Sequence, residues 1–315
     1  MDYISIPQCR RPVSRLIKGS DYFKHDVYEK VCQNLDAFLA ISGNTIDTAN
    51  IYCGGESEEV IGRYMKDRGN RDQLVILTKG AHHNEKGPRV TKQDIASDLE
   101  TSLQRLQTDH IELYALHRDD TNQKVGDIIE WLNEHIQAGR IGAIGASNWT
   151  WQRLQEANEY ADEHGLVGFT FNSPNLSLAK PNEPFWAGCV SADEDTLVWH
   201  ERSQFPLLSW SSQARGFFTG RFSPAVRDNA DMVRVFYNDS NWERLRRAGE
   251  LAAEKNVTMV QIALAYVINQ PFPTCALIGA QSLEELISCD EGSRIRLTSD
   301  EMDWLDLSNE VRSVR

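Results

Sequence analysis

The chain has 315 residues, 41% of them hydrophobic and 25% charged, with 46 Asp and Glu against 33 Lys and Arg. The formal charge of −13 argues against a nucleic-acid partner and an anionic-membrane partner, both of which need clustered cations. No apolar run approaches the roughly 20 residues of a membrane helix, and the length suits one α/β barrel that folds without a disulfide or metal staple.

In chain order, residues 1–13 carry no apolar signal core and read as an N-terminal extension without a secretory or transit signal. Leu16-Ile17 is a first strand. Asp26-Val27-Tyr28-Glu29 has the form of a capping box, and Val27, Val31, Leu35, Phe38 and Leu39 continue it as one helical stripe that stops near Gly43. Asn44-Thr45-Ile46 is a short strand, Ser57 to Met65 a helix, and Leu74 to Leu77 a buried strand. Thr91 and Asp94 cap a helix whose Ile95, Leu99, Leu103 and Leu106 share one face. Ile111 to Leu116 is a strand, Ile128, Ile129, Leu132 and Ile136 mark a helix, and Ile141 to Ala146 is a glycine-interrupted strand. Leu154, Ala157 and Ala161 lie on the next helix. Phe169-Thr170-Phe171 and Leu207-Leu208-Ser209 are further strands, Val260 to Val267 is an apolar helix, and Cys275 to Ile278 is the last strand.

Eight strand candidates, nearly all followed by helices, imply parallel pairing with helical crossovers. In a chain of this length they favour a single closed (β/α)8 TIM barrel of the α/β class spanning residues 1–315. No Gly-x-Gly-x-x-Gly follows the first strand, so the doubly wound dinucleotide fingerprint is missing. The longest irregular stretch, Ala179 to Glu194, reads as an active-site loop. The six cysteines show neither C-x-x-C nor zinc spacing, so reduced thiols, a cytoplasmic setting and no metal are expected.

A barrel of this type places its chemistry at the C-terminal strand ends. The residues there are Asp47, Lys79, His117, Ser147 with Asn148, Ser173 and Trp210, and Tyr52 lies in the loop after Asp47. A phenol has a reference pKa of about 10. A neighbouring ammonium is expected to lower it, a carboxylate to keep that ammonium charged, and an imidazole to orient a substrate oxygen. Together they form a proton donor beside a carbonyl, the need of hydride reduction.

These residues also carry a family likeness. Asp47-Thr48-Ala49-x-x-Tyr52, then Gly54-Gly55-Glu56-Ser57-Glu58, resembles the Asp-x-Ala-x-x-Tyr signature of the aldo-keto reductases. Leu77-Thr78-Lys79, Tyr114-Ala115-Leu116-His117, Ile144 to Trp149, Ser209 to Gly216 and Thr219-Gly220-Arg221 are similar to that family's later blocks, in order. The resemblance runs from about Ser14 to Trp304 and implies NAD(P)H-dependent interconversion of an aldehyde or ketone and its alcohol. It casts Tyr52 as general acid, Lys79 and Asp47 as its tuners and His117 as orienter. Ser147, Asn148 and Ser173 would hold the nicotinamide carboxamide, Trp210 would stack on its ring, and Ser211, Gln213 and Gly279 would hold pyrophosphate and adenosine.

Two departures stand out. Ser173 occupies a place where the family usually has Gln, and Gly279-Ala280-Gln281 lacks the usual Arg that clamps a 2′-phosphate. Glu285 would accept from a ribose hydroxyl and repel a phosphate, which makes NAD(H) plausible against a family default of NADP(H). Ser282 to Glu285 also has the form of a capping box. Arg294 and Arg296 are close enough in sequence to restore phosphate affinity. Tyr22, Phe23, Arg118, Trp149 and Trp186 are candidate pocket residues for a sugar or other small polar carbonyl, Arg118 being suited to a carboxylate or to hydroxyls. The chain ends soon after Trp304, so a long closing loop is not expected. A monomer or small homo-oligomer is expected, and the rival to an enzyme is a catalytically weak, nicotinamide-binding regulatory barrel.

Overall fold

The structure, a computed structural model, describes residues 1–312. Two short strands, β1 (Tyr3–Ile4) and β2 (Val13–Ser14), pair antiparallel ahead of the barrel. The barrel strands are β3 (Leu16–Gly19), β4 (Thr45–Asp47), β5 (Val75–Gly80), β6 (Ile111–Leu116), β7 (Ile141–Ser147), β8 (Phe171–Ser173), β9 (Leu207–Ser209) and β10 (Thr274–Ile278). They are parallel, adjacent in chain order, and closed by β10 pairing with β3. Around them run α1 (Tyr28–Ala40), α2 (Glu56–Arg68), α3 (Lys92–Leu106), α4 (Val125–Gln137), α5 (Trp151–His164), α6 (Glu194–Ser203), α7 (Ala230–Phe236), α8 (Asp239–Lys255), α9 (Met259–Ile268), α10 (Leu283–Ser293) and α11 (Ser299–Leu305). This is a (β/α)8 TIM barrel. No single helix among the described residues is long and apolar enough to cross a membrane.

Side chains alternate across each strand with a period of two. Ile17, Val75, Leu77, Leu113, Ala115, Ala143, Phe171, Leu208, Cys275 and Leu277 fill the barrel interior. Leu16, Ile46, Ile76, Tyr114, Leu116, Ile144, Ala276 and Ile278 pack outward against the helices. Continuing the inward parity by one step puts Asp47, Lys79, His117, Ser147 and Trp210 at the C-terminal rim, facing the axis. At the opposite end Ile6 and Val13 join the interior cluster, so the N-terminal extension plugs the barrel floor.

Two local expectations are corrected. The Asp26–Glu29 capping box does not form: α1 begins after a 3-10 turn, with Val27 at its N-cap and no side-chain cap bond. That turn is held from outside, because the His25 amide donates to Glu56 at 3.1 Å and its ring lies 2.8 Å from Glu59. The strand expected at Phe169 begins at Phe171. The Phe169 amide donates to the Asn158 side chain instead, tying that residue to α5. The caps at Thr91 and Ser282 form as read.

Candidate active site

One open cleft of about 1320 Å³ lies over the C-terminal ends of the strands, and Asp47, Tyr52, Lys79 and His117 all line it. Asp47 and Lys79 are buried on neighbouring strands and form an ion pair. The Lys79 ammonium also donates to the Thr48 carbonyl at 2.9 Å and to the Tyr52 phenol oxygen at 3.2 Å. Burial works against the Lys79 charge, but Asp47 and Tyr52 outweigh it and hold the ammonium above its ordinary value.

The segment carrying Tyr52 is fixed by its backbone. Cys53, Gly54 and Gly55 have φ of 49°, 68° and 105°, in the left-handed region where glycine costs least. A Cβ on Gly55 would come within 2.4 Å of the Arg105 guanidinium carbon. That guanidinium, from α3, donates to the Asn50 carbonyl at 2.8 Å and pairs with buried Glu58. Glu58 in turn accepts from Thr78 on β5 at 2.7 Å. Arg105 therefore locks the Tyr52 loop to the lysine strand.

Burial pushes the Tyr52 phenol up to about 12, and Lys79 offsets only part of this. The expectation of a lowered phenol is thus reversed: desolvation outweighs the ammonium, and Tyr52 is protonated at neutral pH. His117 is held well below its ordinary value by burial and by the positive charges of Lys79 and Arg118, so its ring is neutral. The ring centroids of Tyr52 and His117 are 5.7 Å apart and nearly perpendicular. His82 packs edge-on to His117 at 4.8 Å and lines the cleft.

Beside His117, Asn148 adopts φ of 62°. Its amide nitrogen donates to the His117 carbonyl at 3.2 Å and to Ser147 Oγ at 3.0 Å, while its Oδ1 accepts from Val190 at 3.1 Å. Ser147 Oγ donates to the Ser173 carbonyl at 2.9 Å. The donors of this pair are occupied, but each oxygen keeps a free lone pair, so the pair suits the N–H groups of a carboxamide. Ser173 does not line the cleft, and its hydroxyl donates to the Leu208 carbonyl at 2.8 Å. It supports Ser147 and Asn148 from behind.

Trp210 lines the cleft with a buried, unpartnered indole N–H. After it, Ser211, Ala214, Arg215 and Gly216 all have φ between 48° and 84°. Such left-handed backbone turns amides into concave anion sites, which fits a pyrophosphate held by Ser211 and Gln213. Gly279 opens on free space: an added Cβ there would meet nothing within 4 Å. These features, and a cleft larger than most single-ligand pockets, fit a nicotinamide dinucleotide.

At the far end, Glu285 accepts from the amides of Gln281 at 2.6 Å and Ser282 at 3.3 Å, completing the α10 capping box. Glu284, Glu285 and Gln281 line the cleft there. Arg294 pairs with Asp290 at 2.6 Å and Arg296 with Asp2 at 2.7 Å, and neither lines the cleft, so the expected phosphate rescue is not met. Among the pocket candidates, Tyr22, Arg118 and Trp186 line the cleft. Trp149 and Phe23 do not: both are buried in the helix–strand core, Trp149 packing on Phe169 at 5.2 Å. An aromatic after a strand end looks alike in sequence whether it faces the axis or the helices. Lys18 lies within the apolar strand β3, where its spacing carries no site signal. Its outward parity buries it, donating to the Ala280 carbonyl at 2.7 Å and bonded to the Tyr22 phenol.

The aldo/keto reductase family model matches residues 16–310. The chain is 27% identical over 299 residues to the uncharacterized oxidoreductase YrpG of Bacillus subtilis, covering 91% of this chain and 89% of that protein. It is 28% identical over 282 residues to norsolorinic acid reductase of Aspergillus flavus, covering 86% and 69%. A thermostable aldo-keto reductase solved with the inhibitor epalrestat superposes with a TM-score of 0.76 at 22% identity, covering 98% of this chain and 100% of that one, and shares its fold. The chain belongs to the aldo/keto reductase family, a family of oxidoreductases that act on carbonyl compounds.

Proposed function

We propose that this protein reduces an aldehyde or ketone to its alcohol, with Tyr52 as the proton donor. The observation that carries the reading is the buried chain from Asp47 through the Lys79 ammonium to the Tyr52 phenol, with a neutral His117 beside it in the same cleft. The chemistry a reduced nicotinamide would supply, when bound, is a hydride to the carbonyl carbon. Tyr52 gives its proton to the carbonyl oxygen, and Lys79 stabilises the phenolate left behind. His117 holds that oxygen in line. Ser147 and Asn148 would hold the carboxamide, Trp210 would flank the ring, and Ser211 and Gln213 would hold the pyrophosphate.

We assign the preference to NAD(H). Glu284 and Glu285 put negative charge at the expected adenosine end, and among the described residues no Lys or Arg lines that end. Mixing the protein with NADH and a panel of aldehydes, and following the near-ultraviolet absorbance of the reduced nicotinamide, tests the reading. Tight cofactor binding without turnover of any carbonyl overturns it in favour of a binding barrel.

A further inference from the structure

Arg118 follows His117 at the end of β6, is 9% exposed and lines the cleft. A guanidinium has five N–H donors and stays charged. Here one goes to the His117 carbonyl at 2.8 Å and one to the Cys189 sulfur at 3.4 Å. Burial pushes that thiol up, so it is neutral and a weak acceptor. The Arg118 Nε is buried without a partner.

Nearby arginines differ. Arg89 pairs with Asp98, Arg105 with Glu58 and Arg153 with Asp119, each through a partly or fully buried carboxylate. Among the described residues no carboxylate pairs with Arg118. The adjacent acid in sequence, Asp119, is taken by Arg153 at 3.2 Å. A buried cation without a counter-ion is costly unless a ligand supplies one. This one adds to Lys79 in making the His117 side of the cleft positive.

We propose that Arg118 is a specificity-determining residue that binds a carboxylate on the substrate, so that the preferred substrates are aldehydes or ketones bearing a carboxylate away from the reacting carbonyl. The inference rests on the carbonyl-reductase reading above. The planar fork of Arg118 matches a carboxylate in bidentate fashion. The weak thiol contact is the one such a group would displace. Trp186, at the rim, supplies an apolar wall for the carbon skeleton.

The test compares 4-formylbenzoate with its methyl ester, which share the reacting aldehyde. The expected wild-type kcat/KM favours the acid by about tenfold or more, the scale of one charge-assisted hydrogen-bonded contact. In Arg118→Met that acid-to-ester ratio falls at least about tenfold, mainly through KM, and Arg118→Lys restores part of it. Equal use of acid and ester by the wild type, or an unchanged ratio in Arg118→Met, overturns the assignment. Binding is read separately, by tryptophan fluorescence with the oxidised cofactor present so that no turnover is needed. Weaker binding of 4-formylbenzoate by Arg118→Met supports the carboxylate site even if no carbonyl is reduced, which would count only against the reductase reading. Equal binding overturns the site itself.

Discussion

The ammonium of Lys79 lies 3.2 Å from the phenol oxygen of Tyr52 while it is paired on its other side with Asp47. The cation is thereby aimed at the Tyr52 hydroxyl, the donor in the proposed reduction. Tyr52→Phe keeps the ring and removes that proton. Carbonyl reduction should fall about 10²- to 10⁴-fold in kcat, the range for loss of a general acid. Cofactor affinity, measured by fluorescence titration, should change little. A variant that keeps the wild-type rate would remove Tyr52 from the reaction.

Both titrating groups of the proposed proton-transfer site are pushed away from neutrality. Tyr52 holds its proton up to about 12, and His117 is neutral until well below its ordinary value. The donor is therefore protonated, and the orienter uncharged, across the neutral range. We expect kcat/KM for carbonyl reduction to stay flat from about pH 6 to 9. Alcohol oxidation needs the phenolate as base and should rise with pH over the same interval. An acid limb near the ordinary histidine value of about 6.5 would show that His117 is not held neutral.

Glu285 points its carboxylate at the backbone of α10 and leaves its charge facing the cleft. The ratio of kcat/KM for NADH over NADPH should exceed about tenfold, since unmatched charge against a 2′-phosphate costs on the order of 1–3 kcal/mol. Glu285→Gln should narrow the ratio. A strong NADPH preference in the wild type would refute the assignment.

Lys18 sits against the outer face of β3, and burial depresses its ammonium from an ordinary value of 10.5 to about 7. Between these values the unfolded chain binds a proton that the folded chain has released. Stability from this residue therefore rises as pH increases through that window. From pH 7 to 9 the gain should be about 2 kcal/mol. Urea unfolding of the wild type and Lys18→Met at both values isolates it, because the cysteines and tyrosines that also titrate are common to both. Parallel changes in the two proteins would show that Lys18 titrates as it does in water.

Much of this was legible in the order of residues. Alternating β-branched runs and amphipathic stretches dictate a parallel barrel, because each strand must be covered by a helix and each connection is right-handed. The period of two then carries Asp47, Lys79 and His117 to the inner rim, so the proposed catalytic constellation follows from strand parity. What only the tertiary structure decided lies where parity ends. Trp149 stands one residue past Asn148, yet it turns into the helix layer, while Arg118, one residue past His117, turns into the cleft. The sign of the Tyr52 shift was also beyond the sequence, because desolvation depends on how the surrounding loops close and not on which cation is near. The locking of the Tyr52 loop by Arg105, and the capture of Asp119 by Arg153 that leaves Arg118 without a carboxylate partner among the described residues, both depend on pairings that residue spacing does not encode.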